Sequence, residues 1–338
     1  MSYRLRPARR DDFQAIYEMA KLTGGGFTNL PPDRAALAEK IDRSNRGFAR
    51  EADEQSDDLF LFVVESDDGQ IKGTCQIFGM IGSNLPFYSY RISTMTQTST
   101  ELQRTFRAEM LSLVTDFDGS SEVGGLFLHP GERAAGLGLL LARSRYLFIK
   151  SHRKRFGDRL IAELRGVIDE AGGSPFWDAI AGRFFGMTFQ EADEFNAGHG
   201  NQFIADLMPK TPIYTAMLPE SARAIIGVPH PSGRAAMKML ESEGFKYDGY
   251  IDIFDGGPTM TVAIDNIRTV RESRELIFSG EHEAGGEDRD IIATGHLSQF
   301  RACYADVKEG TDGSATLDAE SARLLGIQRG DSFLAMSR

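Results

Sequence analysis

The chain has 338 residues, enough for about two domains at roughly 150 residues each. Hydrophobic residues are 41% and charged residues 26%, which excludes a wholly disordered chain. The net charge of -11 argues against a general binder of nucleic acid or of anionic membranes. Only Cys75 and Cys303 are present, so a disulfide framework is disfavoured. Because no apolar run resembles a signal peptide or a membrane span, we expect a cytoplasmic protein.

The first part of the chain mixes short strands and helices. Residues 3–5 predict a strand, Asp11 and Asp12 open an amphipathic helix, and Asp33 caps a second helix. Residues 59–65 and 71–81 are apolar runs joined by a turn, which predicts an antiparallel strand pair. We also expect strands at 89–94 and 125–128, a partly helical segment at 99–110, and a long helix from about 136 to 152.

The most specific local pattern lies at residues 126–138, where an apolar strand leads through Arg-x-x-Gly-x-Gly into a helix. Glycines allow backbone N–H groups to approach a pyrophosphate, and a helix N-terminus adds partial positive charge. The P-loop and the dinucleotide fingerprint fit poorly, because their required residues are missing. The segment resembles the coenzyme A loop of the GNAT N-acetyltransferase superfamily. That resemblance predicts acyl-CoA contacts from Leu126, Phe127, Leu128, Arg133, Ala134, Ala135, Gly136, Leu137 and Gly138.

A similar order of elements occurs twice in the chain. Residues 160–165 and 224–228 both favour a strand, and a helix follows each of them, starting near Ser174 and near Pro231. Because helix-to-strand units of this kind close acyl-CoA transferase domains, we predict an α/β (α+β) fold. It would contain two tandem GNAT-like domains with mixed, largely antiparallel sheets, and a small β-rich C-terminal segment. The expected division is residues 1–200, then 201–270 together with 271–338. Coincidental repetition is the alternative.

His230 is the candidate catalytic side chain. Pro229 and Pro231 flank it and hinder a helix there, so it lies in a rigid loop between two predicted elements. A hydrogen-bonded turn histidine and a catalytic base or acid both fit this position. No histidine pair has metal-ligand spacing, so we expect no metal. The basic run 152–155 is interpreted as a solvated helix end, with phosphate binding as the alternative.

Beyond the loop, the chain resembles the arginine N-succinyltransferase family from residue 3 to about 270. The segments that carry the resemblance are 23–31, 126–128 with 133–138, 144–148, 162–170, 174–177, 203–209, 212–214, 230–231, 243–245 and 252–258. The resemblance implies transfer of a succinyl group from succinyl-CoA to the α-amino group of L-arginine. It implies that His230 is the proton donor and that Leu126 contacts succinyl-CoA. Val228 and Pro229 depart from the residues common in the family.

The resemblance requires succinyl-CoA as a co-substrate and no permanently bound cofactor. The guanidinium of the acceptor needs a carboxylate partner, for which the sequence offers a set without choosing among its members: Glu163, Asp169, Glu170, Asp252 and Asp255. Arg91 and Arg165 are candidates for the succinyl carboxylate. Alternatives are an N-acyltransferase that uses ornithine or acetyl-CoA, and a non-catalytic partner subunit. The chain is expected to form a homo-oligomer or to pair with a related subunit.

Overall fold

The structure is a computed structural model that describes residues 2–23, 29–132, 136–199, 202–285 and 289–338. The described strands are β1 (Tyr3–Pro7), β2 (Leu59–Ser66), β3 (Ile71–Phe78), β4 (Ser89–Ser99), β5 (Arg104–Val114), β6 (Ser121–Leu128), β7 (Arg159–Glu163), β8 (Ile213–Tyr214), β9 (Lys246–Asp252), β10 (Pro258–Ala263), β11 (Arg274–His282), β12 (Asp290–Thr294), β13 (Arg301–Ala305), β14 (Val307–Glu309), β15 (Ser314–Asp318) and β16 (Ser332–Met336). The described helices are α1 (Phe13–Lys21), α2 (Arg34–Ala49), α3 (Leu137–Ser151), α4 (Pro175–Ala179), α5 (Gly182–Phe185), α6 (Phe189–His199), α7 (Gln202–Leu207), α8 (Glu220–Arg223), α9 (Arg234–Ser242), α10 (Arg268–Glu272) and α11 (Ala319–Leu325).

The strands form one mixed sheet in the order β14-β15-β11-β16-β12-β13-β1-β2-β3-β6-β7-β10-β9-β4-β5-β8. Neighbouring strands are antiparallel except in the pairs β6–β7 and β11–β15. The predicted α/β class with a largely antiparallel sheet is therefore confirmed. The division of the chain at residue 200 stays a prediction.

Helix α3 lies at the centre of the largest core. It packs through Leu140, Leu141 and Phe148 on one face of the sheet, against inward-facing residues of the central strands such as Phe62 and Val123. The helix is apolar on several sides because α9 and the C-terminal strands cover it as well. The opposite face is covered near β2 by α1 and α2, whose Ile16, Leu37 and Ile41 contact Leu61 and Val63.

Two further large cores lie elsewhere in the molecule. Trp177, Phe176 and Phe254 lie in a core between the short helices α4–α8 and strands β4, β5 and β9. Phe278, Leu317 and Phe333 belong to a core between α11 and the C-terminal strands. No helix in the described part of the chain is long and apolar enough to cross a membrane.

Several local predictions are confirmed. Asp33 caps α2 by accepting a hydrogen bond from the N–H of Ala36 at 2.7 Å. The predicted hairpin of residues 59–65 and 71–81 is the antiparallel pair β2–β3. The predicted long helix is α3, and the C-terminal segment is β-rich with α11 near its end. Cys75 and Cys303 are both free and buried.

Two element predictions are wrong. Residues 99–110 were expected to be partly helical, but most of them belong to β5, which pairs with β4 along its whole length. Residues 224–228 were expected to form a strand, but a turn follows α8 there. Gly227 has φ +70°, a left-handed conformation that interrupts a strand, and Ile225 and Ile226 pack instead against the core around Trp177.

The basic run 152–155 is not a solvated helix end throughout. His152 is buried, and its ring nitrogens bond the carbonyl of Phe148 and the N–H of Leu297. Arg155 is also buried and donates to the carbonyl of Arg50 at 2.8 Å. The segment therefore fastens the C-terminal end of α3 to neighbouring loops, because charged groups that leave water must find partners.

Candidate active site

The hydrogen-bonded ladder between strands β6 and β7, in the middle of the sheet, is short. They pair in parallel only at Ser121–Leu160 and Glu122–Ile161, although β6 continues to Leu128. Beyond Glu122 the ladder between the two strands ends. The backbone of the second half of β6 therefore borders an opening rather than a neighbouring strand on this side, which leaves N–H and C=O groups for a ligand.

A bulge reshapes β6 at this opening. Gln76 pairs with Gly124 but Thr74 pairs with Phe127, so β6 carries one extra residue. Gly125 has φ +57°, and its carbonyl accepts a hydrogen bond from the Thr74 hydroxyl at 3.0 Å. The extra residue reverses the alternation of side chains, so Leu126 packs toward the α3 core instead of sharing the face of Gly124.

The start of α3 lies beside the C-terminal strands. Gly136 precedes the helix with φ +73°, and its carbonyl accepts a hydrogen bond from the Tyr304 hydroxyl at 2.8 Å. A side chain at Gly136 would meet the Arg338 guanidinium, since a Cβ there would lie 2.7 Å from Nη2. Leu137 is buried in the main core, whereas the position of Gly138 is open. Arg133, Ala134 and Ala135 lie outside the described residues.

His230 is fixed to the end of β7 through its backbone. Its N–H donates to the carbonyl of Arg165 at 2.7 Å, and Pro229 pairs with Gly166 in an isolated bridge. The ring is half-buried. Its Nδ1 lies 2.7 Å from Ser232 Oγ and 3.3 Å from the N–H of Ser232. No described residue bonds Nε2, which is the ring nitrogen left to exchange a proton with a substrate.

The electrostatic surroundings keep His230 neutral. Burial lowers the pKa of its imidazole, and the nearby charge of Arg165 lowers it further. In the neutral tautomer that carries its proton on Nδ1, Ser232 Oγ accepts a hydrogen bond from Nδ1–H, and the lone pair of Nε2 is available to accept a proton.

Glu122 and Glu163 lie on the sheet face opposite α3, because their neighbours Val123 and Ala162 belong to the α3 core. Asp252 ends β9 and Asp255 lies in the turn that follows, and both are close enough to raise the pKa of Glu163. We call these four carboxylates the carboxylate chamber. Burial raises the pKa of each of them, to about 7 for Glu122 and Asp255, and mutual repulsion raises those of Glu163 and Asp255 further. The sequence set contained three of these residues. It missed Glu122, for which the only signal was a single acid inside an otherwise uncharged strand.

The two aspartates of the chamber accept hydrogen bonds from backbone N–H groups, whereas the two glutamates do not. Asp255 accepts from the N–H groups of Gly166 and Gly257 at 2.7 and 2.8 Å, so it fixes the end of β7. Asp252 accepts from the N–H groups of Phe254 and Asp255. Within the described chain, the carboxylates of Glu122 and Glu163 receive no hydrogen bond and form no ion pair.

Other candidates from the sequence lie elsewhere. Asp169 and Glu170 are exposed, and Asp169 closes a turn by accepting from the N–H groups of Ala171 and Gly173. Arg91 is also exposed, and it pairs with Asp116 at 3.7 Å. Arg165 is half-buried beside His230, and its Nε has no hydrogen-bond partner among the described residues. Arg165 therefore remains a candidate for a substrate anion.

Comparison with known proteins places the chain among acyltransferases. Residues 3–269 match the family described as arginine N-succinyltransferase beta subunit, and residues 276–337 match the C-terminal domain of that subunit. An arginine N-succinyltransferase of Citrobacter koseri is 43% identical over 300 residues, which are 88% of this chain and 87% of that protein. One from Escherichia coli is 41% identical over 330 residues, which are 97% of this chain and 95% of that protein.

A solved structure agrees with these sequence matches. The arginine/ornithine succinyltransferase subunit AI from Pseudomonas aeruginosa superposes with a TM-score of 0.90 at 31% identity, covering 99% of this chain and 98% of that one. The family models together span nearly the whole chain, and the structural match includes the C-terminal strands. The chain therefore belongs to the arginine N-succinyltransferase family.

Proposed function

We propose that this chain transfers the succinyl group of succinyl-CoA to the α-amino group of L-arginine, giving N2-succinylarginine and free CoA. The observation that carries the proposal is the position of His230. Its backbone is tied to the end of β7, its Nδ1 is engaged by Ser232, and Nε2 remains available next to the opening between β6 and β7. The names of the relatives supply the substrates.

Succinyl-CoA would lie with its phosphates at the start of α3 and its thioester at the bulge of β6. The left-handed Gly136 and the open position at Gly138 let the backbone approach a pyrophosphate. The guanidinium of Arg338, next to Gly136, adds positive charge at this end. The residues expected to contact acyl-CoA are the strand 126–128 and the loop 133–138.

The free amine of arginine would attack the thioester carbonyl directly. In the tetrahedral intermediate the carbonyl oxygen carries negative charge, which backbone N–H groups of β6 next to the bulge would stabilise. The carbon–sulfur bond then breaks and CoA leaves as a thiolate. This route requires no permanently bound cofactor and no covalent enzyme intermediate.

His230 would carry the proton between the two reactants. Nε2 accepts the proton that the attacking amine loses, and the imidazolium donates from Nδ1 to Ser232 Oγ during this step. Nε2 then gives the proton to the leaving thiolate. The lowered pKa of the ring keeps it neutral before the attack, as a general base requires.

Selection of succinyl over acetyl would require a cation near the reacting carbonyl. Arg165 meets this need, because its half-buried guanidinium lies close enough to His230 to lower the pKa of that imidazole. A guanidinium and a carboxylate form a charge-assisted pair, so Arg165 would pair with the distal carboxylate of the succinyl group.

The first test is thiol release from succinyl-CoA and from acetyl-CoA by the purified protein, with L-arginine, L-ornithine, L-lysine or no acceptor. We expect fast release only with succinyl-CoA and arginine together. His230→Ala should lower kcat by roughly 10² to 10⁴. Ser232→Ala is the matched control, since it keeps the ring and removes only its hydrogen-bond partner, so its loss should be much smaller. A folded His230→Ala protein with normal turnover would refute the role of the histidine.

Ornithine is a second candidate acceptor, because the matched structure from Pseudomonas aeruginosa is described as an arginine/ornithine succinyltransferase subunit. The same description names a subunit, as does the family model. A protein that binds CoA but releases thiol only when a second, related chain is added would be a partner subunit rather than a complete enzyme.

A further inference from the structure

The carboxylate chamber is lined by buried polar groups that lack partners. Gln76, Ser89 and Thr259 are all fully buried. The side-chain Oε1 of Gln76, Oγ of Ser89 and Oγ1 of Thr259 have no hydrogen-bond partner among the described residues, and neither does Oε1 of Glu163. Buried polar groups are stabilised by hydrogen bonds, so these oxygens offer several acceptors beside the carboxylates for the N–H groups of a ligand.

Strand register shows that these groups face the chamber. Thr259 is directly opposite Glu163, and Ser89 is directly opposite Asp252. Gln76 and Phe78 are opposite Gly124 and Glu122, so Gln76 lies on the same face as Glu122, one pleat closer to the bulge. Directly opposed residues of antiparallel strands share a face, and therefore all three groups project toward the carboxylates.

Among the described residues, no lysine, arginine or histidine forms an ion pair with a carboxylate of the chamber. Lys40 lowers the pKa of Glu122 through its charge, but it forms no ion pair with Glu122, and its ammonium lies 5.6 Å from the centre of the Phe78 ring. The charge of Arg165 lowers the pKa of Asp255, but the carboxylate of Asp255 already accepts hydrogen bonds from backbone N–H groups. In the described residues no group of three His, Cys, Asp or Glu side chains is arranged to hold a metal ion. An organic cation with several N–H donors fits this combination of carboxylates and neutral oxygen acceptors.

The distance from the bulge to Glu122 fits the length of an arginine side chain. Leu126 lies four residues after Glu122 on β6, and the bulge takes up one of these steps, so the strand advances by roughly 10 Å between them at about 3.3 Å per residue. An extended arginine spans roughly 7 Å from its α-nitrogen to the guanidinium carbon, across six bonds of about 1.5 Å in a zigzag. The attacking nitrogen lies roughly 3 Å from the reacting carbonyl carbon. The arginine length and the attack distance together give roughly 10 Å, which equals the distance along β6 from Leu126 to Glu122.

We infer that Glu122 and Glu163 bind the guanidinium group of the acceptor amino acid, with Gln76 and Thr259 accepting further N–H groups. This inference rests on the proposed function and assigns the acceptor site to specific residues. A guanidinium offers five N–H donors in a plane, which two carboxylates and neutral oxygens satisfy together. The same chamber gives an uncharged urea group no ion pair and leaves the carboxylates uncompensated.

The test compares L-arginine with L-citrulline, its uncharged counterpart of the same length, in the wild type and in Glu122→Gln and Glu163→Gln. Each variant keeps the side-chain shape and removes one negative charge. Glu241→Gln is the matched control, because Glu241 is an exposed carboxylate on α9 outside the chamber. The measurements are kcat and KM for each acceptor, KM for succinyl-CoA, and the midpoint of thermal unfolding.

We expect each chamber variant to raise KM for arginine at least 10-fold and to narrow the preference for arginine over citrulline by a similar factor. KM for succinyl-CoA should stay unchanged. The unfolding midpoint should stay equal or rise, since the substitution removes repulsion between buried charges. The control should match the wild type. An unchanged KM for arginine in both variants, or an unchanged preference for arginine, would overturn the inference.

Equilibrium binding separates this inference from the proposed function. If the wild type transfers succinyl to no amine, the proposed function fails, and calorimetric titration of L-arginine into the CoA-saturated protein tests the chamber by itself. Binding by the wild type that Glu163→Gln weakens at least 10-fold would support the chamber assignment. Absence of arginine binding to the wild type, or equal binding by Glu163→Gln, would overturn it.

Discussion

Protonation of His152 should destabilise the folded protein at mildly acidic pH. The ring donates from Nδ1 to the carbonyl of Phe148 at 2.9 Å and accepts at Nε2 from the N–H of Leu297 at 3.1 Å, so the neutral form is required. Burial, with smaller contributions from His296 and Arg155, lowers the pKa of His152 from 6.5 to about 4. The unfolded chain therefore binds one more proton than the folded chain in this window. The contribution of His152 to stability is complete above about pH 6.5 and is lost as the pH falls toward 4.

The size of this effect follows from linkage. A shift from 6.5 to about 4 at about 1.4 kcal/mol per pH unit gives about 3 kcal/mol in total. Between pH 8 and pH 5 the loss is about 2 kcal/mol, because part of the titration still lies below pH 5. The assay is urea unfolding of the wild type and of His152→Gln at both pH values.

Comparing the wild type with His152→Gln separates the effect of His152 on the pH dependence of stability from the effect of the carboxylate chamber. The chamber titrates in both proteins, so its contribution cancels in the difference between their free energies of unfolding. His152→Gln should be less stable than the wild type at pH 8, and the difference should shrink by about 2 kcal/mol at pH 5. His129→Gln, at an exposed histidine, should follow the wild type at both pH values. Parallel pH profiles for the wild type and His152→Gln would refute the reasoning.

The remaining predictions concern the donor site and the core. Arg165→Met should lower the preference for succinyl-CoA over acetyl-CoA by roughly 10- to 100-fold, measured as the ratio of kcat/KM values, because it removes a charge-assisted pair; an unchanged ratio would assign the succinyl carboxylate elsewhere. Arg143→Met should cost about 3 to 5 kcal/mol in urea unfolding, since it leaves Glu243 buried without its 2.8 Å partner, and Arg143→Met with Glu243→Met together should recover much of that loss. Gly125→Ala should cost about 1 to 2 kcal/mol and lower kcat, because its left-handed φ of +57° shapes the bulge; normal stability and turnover would show that the bulge tolerates a side chain.

Elements whose signals are local could be predicted from their own residues. Asp33 caps α2 through its own side chain, and the apolar run after Gly136 forms α3, most of whose residues are buried. Gly136 was identified through the coenzyme A loop, and its left-handed conformation is a property that glycine adopts without steric cost. The flanking prolines of His230 indicated a rigid loop, and the family resemblance added the proton-donor role. Neither signal required knowledge of distant contacts.

Local signals failed where neighbours decide the conformation. β5 lies near the edge of the sheet and pairs with β4 in a hairpin whose outer residues are exposed on both faces, so it lacks a regular apolar alternation. The segment 224–228 has strand-like residues, but its isoleucines are buried against helices and Gly227 turns the chain. Burial, which sets both outcomes, depends on which elements pack against the segment.

The inferred acceptor site depends on strand pairing that local sequence signals do not reveal. Gln76, Glu122, Glu163 and Thr259 come from four strands far apart in the chain, and the register of β3, β6, β7 and β10 brings them to one face of the sheet. A lone glutamine or glutamate in a strand carries no local sign that it is buried without a partner. That property arises from the sheet order, which buries these groups on one face of the sheet.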